Sequence, residues 1–149
     1  MFKIITYDPK CKTDMHHCFL SAREAIEPET TPKLREDLLD IQKHYFDKGD
    51  TFWLAINEEG RVIGMLGTNT ISATDMWLKR LYIKPCMKRK GIASALLATA
   101  EDYAKAKGIK TIHTRFKDSY TEAAHFYPAK GFIEAERIDS LRHLIKKVI

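Results

Sequence analysis

The residues best suited to chemistry are Lys88-Arg89-Lys90-Gly91-Ile92-Ala93, three cations and a glycine ahead of an Ala- and Leu-rich segment. A strand–loop–helix junction of this composition offers unpaired backbone N–H groups at the positive end of a helix dipole, which suits an anion. Gly91 lets a phosphate approach the backbone with no Cβ in the way. The competing reading is a solvated charged loop with a glycine at a tight turn. Gly91 is the only glycine of the loop, so neither GxxxxGK[ST] nor GxGxxG is present.

The charge around this loop is uneven. The chain carries 25 Lys and Arg against 20 Asp and Glu, a net charge of +5. Lys79, Arg80, Lys84, Lys88, Arg89 and Lys90 fall together with no acidic residue among them. A local basic run of this kind suits nucleic acid, a membrane surface or a phosphorylated small molecule, and structural context chooses among them. Glu24, Glu27 and Glu29 form an acidic counterpart in the N-terminal third.

With 149 residues, 44% hydrophobic and 30% charged, the chain is expected to form one compact domain over residues 1–149. No apolar run approaches the roughly 20 residues of a membrane-spanning helix, and the N-terminus lacks a signal-peptide pattern. Cys11, Cys18 and Cys86 show no paired spacing, so neither a disulfide framework nor a metal site is expected, and a cytoplasmic location fits. Cys86 reads as a small residue after Pro85 rather than a nucleophile.

The elements that must position the loop follow from periodicity and breakers. FKIITY reads as a first strand, and a helix capped by Thr13 is expected to about Glu24 with Met15, Cys18, Phe19 and Ala22 inward. A second helix is expected from about Pro32 to Asp47, with Leu34, Leu38, Ile41 and Tyr45 as its apolar stripe and Gly49 at its end. Residues 51–57 and 61–71 form a hairpin signal around Gly60, and 76–83 a further strand ended by Pro85. Residues 91–107 are the strongest helix, closed by Gly108, with a strand at 109–116 after it. A short helix from Thr121 to about Lys130, which Pro128 should bend or end early, precedes two final strands at 132–138 and 141–149. The β-α-β crossover makes the strands at 76–83 and 109–116 parallel. The expected fold class is α/β, with a mixed, mostly antiparallel sheet, one parallel strand pair and flanking helices.

The sequence resembles the GNAT superfamily of N-acetyltransferases. Leu81-Tyr82-Ile83, Pro85 and the Lys88–Ala93 loop match that family's strand, proline and [RQ]-x-x-G-x-[GA] helix start. Ala123, Phe126, Tyr127, Gly131 and Phe132 match its N-x-x-A-x-x-[FL]-Y-x-x-x-G-F motif. Three positions depart: Lys88 replaces Arg or Gln, Tyr120 replaces the usual Asn, and Pro128 follows Tyr127 directly. Trp77 stands where many relatives place a general-base Glu.

The resemblance implies a parallel pair that splays apart to admit acetyl-CoA. By the same resemblance, backbone groups of Leu81, Tyr82 and Ile83 bind the acetyl-pantetheine arm, and Tyr120 stands where a pantetheine contact is made. Lys88, Arg89, Lys90, Gly91, Ile92, Ala93 and Ser94 hold the pyrophosphate. A backbone N–H near Leu81 serves the oxyanion, and Tyr127 protonates the departing thiolate. From spacing alone, Tyr127 reads equally as core.

The base that takes the amine proton stays open among Asp75, Asp118, His113 and a water chain. Glu24, Glu27 and Glu29 fit either a cationic-amine site or a solvated loop, and Trp53 and Trp77 either an acceptor cleft or core. The expected activity is acetyl transfer from acetyl-CoA to a primary amine of a small molecule or peptide, with no nucleic-acid or membrane partner. The alternatives are a catalytically silent acyl-CoA sensor and a nucleic-acid-binding module, the latter lacking interleaved aromatics. An exposed strand edge near the C-terminus would support a homodimer.

Overall fold

The computed structural model describes residues 1–149. Seven strands hydrogen-bond in the order β1-β2-β3-β4-β5-β7-β6, antiparallel in the described pairings except for β4 with β5. The chain divides into two compact units, Met1–Asn69 with Lys79–Ala100, and Thr70–Leu78 with Glu101–Ile149.

In the first unit, β1 (Phe2–Thr6) pairs with β2 (Phe52–Asn57), placing Ile4 opposite Ala55. β2 returns into β3 (Val62–Thr70) through a turn in which Gly60 adopts φ +77°, so Leu54 faces Met65. Helix α1 (Lys12–Ile26) buries Met15, Cys18, Phe19 and Ala22, the four residues its apolar period selects. Thr13 is not its cap. A 3-10 turn at Pro9–Cys11 leads into the helix instead, capped by Asp8, whose carboxylate accepts the Lys10 N–H at 3.0 Å.

The expected helix from Pro32 to Asp47 is broken into three pieces. These are α2 (Glu36–Leu39), α3 (Ile41–His44) and a 3-10 turn at Phe46–Lys48, with Pro32 in the preceding loop. The break falls at Asp40, whose backbone leaves the helical region at φ −148° and ψ 84° and whose side chain accepts the Lys43 N–H at 3.0 Å. That local bond offers the backbone a cap in place of a continued helix. Leu38, Ile41 and Tyr45 still point inward, because each piece keeps its apolar residue on the core side. They pack with Phe19, Phe52, Leu54 and Met65.

Helix α4 (Ile92–Ala106) sits close to β3. A Cβ added at Gly64 would stand 2.9 Å from Ile92 Cγ2, 3.0 Å from Ile83 Cδ1 and 3.2 Å from Leu96 Cδ1, so only glycine permits this approach. The helix ends on Gly108 at φ +79°, with the Ile109 N–H donating to the Ala104 carbonyl at 2.8 Å. This is a left-handed stop in which the buried Ile109 covers the last turn. It delays the next strand: β5 spans Thr111–Lys117, starting two residues later than the apolar run implies.

In the second unit, Asp75, Met76 and Trp77 of β4 (Asp75–Ile83) pair in parallel with Thr111, Ile112 and His113 of β5. β5 runs antiparallel to β7 (Leu141–Lys147) along its whole length, and β6 (Ile133–Ile138) forms a hairpin with β7. Helix α5 (Thr121–Ala129) contains Pro128 and continues past it by one residue. The helix ends one residue after Pro128, close to the expected end at Lys130, and the Pro128 carbonyl accepts the Gly131 N–H at 3.0 Å as the chain leaves it. Ile112, Phe116, Leu144, Tyr127 and Phe132 are buried. Lys146 reaches Glu101 of α4 at 2.7 Å.

Candidate functional site

The basic loop has the backbone an anion cradle needs. After β4, Pro85–Met87 form a 3-10 turn, and the chain then passes through Arg89 at φ +63° and Gly91 at φ +80°. The first α-helical bond of α4 runs from the Ala95 N–H to the Gly91 carbonyl at 3.0 Å. The amides of Ile92, Ala93 and Ser94 therefore have no carbonyl partner within the helix and point out of its N-terminal end. A Cβ at Gly91 would meet nothing within 4 Å, so open space lies beside that amide. Arg89 and Lys90 are exposed and Lys88 is half-buried. Together these residues fit a pyrophosphate: amide donors, helix-end dipole, surrounding cations and room for the group.

Immediately upstream, β4 departs from regular geometry. Arg80 takes φ +62°, a left-handed conformation for a residue with a Cβ. Asp37 of α2 grips it, with carboxylate oxygens 2.7 Å from Nη2 and 3.1 Å from Nε. The Tyr45 hydroxyl donates to the same carboxylate at 2.5 Å. Burial works to raise the Asp37 pKa, but the hydrogen bonds from Arg80 and Tyr45 outweigh it and hold the carboxyl below its usual value. Burial and the bond to Asp37 push the Tyr45 phenol up. For Arg80 burial opposes the charge, and Asp37 more than offsets it, so its pKa is raised. Leu81, Tyr82 and Ile83, each half-buried, follow this bend. A left-handed residue within a strand interrupts the alternation of the backbone amides, which presents the Leu81 region differently from an ordinary ladder position. Tyr45 was marked only as part of an apolar stripe and Arg80 only as part of the basic run, and Asp37 not at all. A positive φ at an arginine leaves no mark in composition.

In the second unit, Tyr127 is buried, stacked on Phe116 at 5.8 Å between centroids and edge-on to Phe126 and Phe132 at 5.2 and 5.1 Å. Its ring is thus held in an aromatic cluster, as the core reading expects. Tyr120 stands at the N-cap of α5, its carbonyl accepting the Ala124 N–H at 3.0 Å and its ring 5.9 Å from the Lys117 ammonium.

The candidate bases part company. Asp118 is exposed and lies 3.4 Å from Arg137, a surface ion pair. Asp75 and His113 come together, with Nε2 of His113 2.6 Å from the carboxylate. Nδ1 of His113 meets Nε2 of His143 on β7 at 2.8 Å. Trp77 covers both imidazoles, 4.9 Å from His143 and 5.1 Å from His113, and the Arg115 guanidinium sits 5.4 Å from the Trp77 ring. Hydrogen bonds from Thr74 and then His113 hold the Asp75 carboxyl below its usual value. Burial, with His113 and Arg115 beside it, lowers the His143 pKa against the opposing pull of Glu136. His143 was not anticipated, because strand register decides which residues of β5 and β7 meet.

The remaining candidates sort by burial. Trp53 is 6% exposed and belongs to the core, whereas Trp77 is half-buried. Of the acidic cluster, Glu27 pairs with Arg23 at 3.2 Å. Cys86 is exposed, while burial pushes the Cys18 thiol up to about 12.

The comparisons with known proteins agree with this geometry. The model of the Acetyltransferase (GNAT) family matches residues 14–132. N-acetyltransferase 8 from Homo sapiens is 30% identical over 102 residues, covering 64% of this chain and 44% of that protein. Probable N-acetyltransferase camello from Xenopus tropicalis is 27% identical over 115 residues, 75% of this chain and 52% of that protein. The chain thus spans about half the length of the curated relatives it matches. A GNAT-family acetyltransferase from Staphylococcus aureus superposes with a TM-score of 0.89 at 23% identity over 100% of both chains. The PaiA N-acetyltransferase of Thermoplasma acidophilum, solved in complex with coenzyme A, gives 0.81 at 20% identity over 99% of each. At these identities the likeness is one of fold, and the matched motifs carry the rest: the chain belongs to the GNAT acetyltransferase family.

Proposed function

We propose that this chain is an N-acetyltransferase that moves the acetyl group of acetyl-CoA to the primary amine of a small molecule or peptide. The observation that carries the reading is the loop of Arg89 and Gly91, both left-handed, opening onto the unpaired amides of α4. Acetyl-CoA supplies a thioester whose carbonyl carbon accepts a neutral amine directly.

In this reading the amides from Arg89 to Ser94 bind the pyrophosphate, with Lys88, Arg89 and Lys90 adding charge. Backbone groups of Leu81, Tyr82 and Ile83 orient the pantetheine arm, and the Leu81 N–H donates to the oxygen that gains negative charge. Tyr127 is assigned the proton for the leaving thiolate, and Tyr120 a contact to the pantetheine region. Support for the Tyr127 role comes from its motif match and from the aromatic cluster that fixes its ring.

The test is thiol release from acetyl-CoA across a panel of alkylamines and N-terminal peptides, alongside isothermal titration with acetyl-CoA. Amine-dependent release is expected. Acetyl-CoA binding with no release for any amine would overturn the enzyme reading in favour of a sensor. Tight duplex DNA binding at physiological salt without acetyl-CoA binding would overturn both.

A further inference from the structure

An alkylammonium must lose a proton before its nitrogen can attack a thioester, and the position of Trp77 on β4 offers no carboxylate for the task. We propose that Asp75, His113 and His143 form a proton relay that takes this proton, with His143 as its entry point. The proposal rests on the acetyltransfer reading and deepens it.

The hydrogen bonds determine how the relay is wired. A carboxylate only accepts, so Nε2 of His113 must carry the hydrogen shared with Asp75 across 2.6 Å. With both imidazoles neutral, Nδ1 of His113 then has a lone pair and no hydrogen. The 2.8 Å contact to Nε2 of His143 must be filled by a hydrogen from His143. That leaves Nδ1 of His143 as the basic nitrogen of the pair. When it takes a proton, the Nε2 hydrogen of His143 passes across the 2.8 Å contact to His113. The positive charge then comes to rest on His113, directly against the Asp75 carboxylate. One N–H bond of the ammonium breaks, one forms at His143, and one proton moves between the rings, so the count balances.

The surroundings suit this task. Asp75, Trp77, His113, Arg115 and His143 share one sheet face, fixed by the pairings of Trp77 with His113 and of Arg115 with His143. The opposite face takes Met76, Ile112 and Leu144 into the core. Trp77, stacked on His143 at 27° between planes, holds that ring in orientation. The charged groups facing His143 are Asp75 through His113, Arg115 on β5 and Glu136 on β6. Burial, His113 and Arg115 keep His143 neutral and therefore able to accept at neutral pH. Asp75 is a positioning residue: it fixes the His113 tautomer and stabilises the positive charge that comes to rest there. Asp75 and Trp77 also stand on the strand whose later residues, Leu81 to Ile83, carry the proposed acetyl-binding backbone.

Two measurements on the intact chain test the relay. The first is kcat/KM against pH for one alkylamine in the wild-type chain, His143→Gln, His113→Gln and Asp75→Asn, with acetyl-CoA affinity measured for each. Both histidine variants should lose roughly 100-fold at neutral pH, the deficit shrinking to a few-fold as the pH nears the amine's own pKa of about 10.4. Asp75→Asn should lose roughly tenfold, and acetyl-CoA affinity should stay within about twofold. A deficit that is the same at every pH marks a structural role and overturns the relay, as does no deficit. A wild-type chain that releases thiol with no amine overturns the acetyltransfer reading and the relay's role with it. The second measurement is imidazole nitrogen NMR. The His143 midpoint should move when His113 becomes Gln, and an unmoved midpoint overturns the wiring whatever the acceptor.

Discussion

Asp37 clasps Arg80 with both carboxylate oxygens, at 2.7 and 3.1 Å, at the residue of β4 whose backbone turns to φ +62°. A side chain on α2 thus holds a left-handed strand residue next to Leu81, the start of the proposed acetyl-binding segment. Neither group is accessible enough for the pair to be a screened surface contact, with side-chain exposures of 23% and 22%.

Breaking this clasp should cost stability in a way that separates charge from backbone. Asp37→Ala leaves a half-buried guanidinium unpaired and should lower unfolding free energy by about 2 to 3 kcal/mol. In an Asp37→Asn background, Arg80→Gly should be more stable than Arg80→Ala by about 1 kcal/mol, because glycine adopts this φ without penalty. Urea denaturation reads both. Equal stability for the glycine and alanine variants would mean that the bend is not held under strain.

Replacing Gly91 by Val should weaken acetyl-CoA binding about tenfold while the chain still folds. Nothing lies within 4 Å of an added Cβ, so the penalty comes from φ +80° and from the space the phosphate needs. Titration calorimetry gives the affinity, and circular dichroism reports the fold. Wild-type affinity would mean the loop does not hold the cofactor.

Tyr127→Phe removes only a hydroxyl from a ring packed against Phe116, Phe126 and Phe132. Turnover should fall about 100-fold with acetyl-CoA affinity almost unchanged. Unchanged turnover would take Tyr127 out of the acid role and leave it as core.

Acid should weaken the first unit through Asp14. Its carboxylate accepts from Arg61 at 2.8 and 3.1 Å and from the Val62 N–H at 2.7 Å. The Arg61 hydrogen bond leads the forces that take its pKa from 3.8 to about 2. A depressed folded pKa contributes stability that is complete above 3.8 and drains away as pH falls toward about 2. The contribution is on the order of 1 kcal/mol after screening by solvent at the exposed Arg61. Asp14→Asn should flatten the stability-against-pH curve in that window, and an unaltered slope there would remove Asp14 from the account.

Local chemistry was enough to locate most elements and to single out the loop proposed to hold phosphate. The apolar period of α1 marked Met15, Cys18, Phe19 and Ala22, Gly108 marked the end of α4, and Gly91 marked the turn into it. Each is a property of neighbours in the chain, where steric and hydrogen-bonding rules act over a few residues. The same rules misplaced the helix expected at Pro32–Asp47, since the Asp40 side chain competes for a backbone amide, a contest that the apolar stripe does not record.

What only the three-dimensional arrangement decided is which distant residues meet. Asp37 finds Arg80 across 43 positions, and His113 finds Asp75 across 38 and His143 across 30. His113 on β5 and Asp75 at the start of β4 could be noticed as candidate bases, but not that they touch, and His143 could not be noticed at all. Strand register and the packing of α2 set these contacts. Both are settled by how whole faces bury their apolar residues together, a condition that no short stretch of sequence contains.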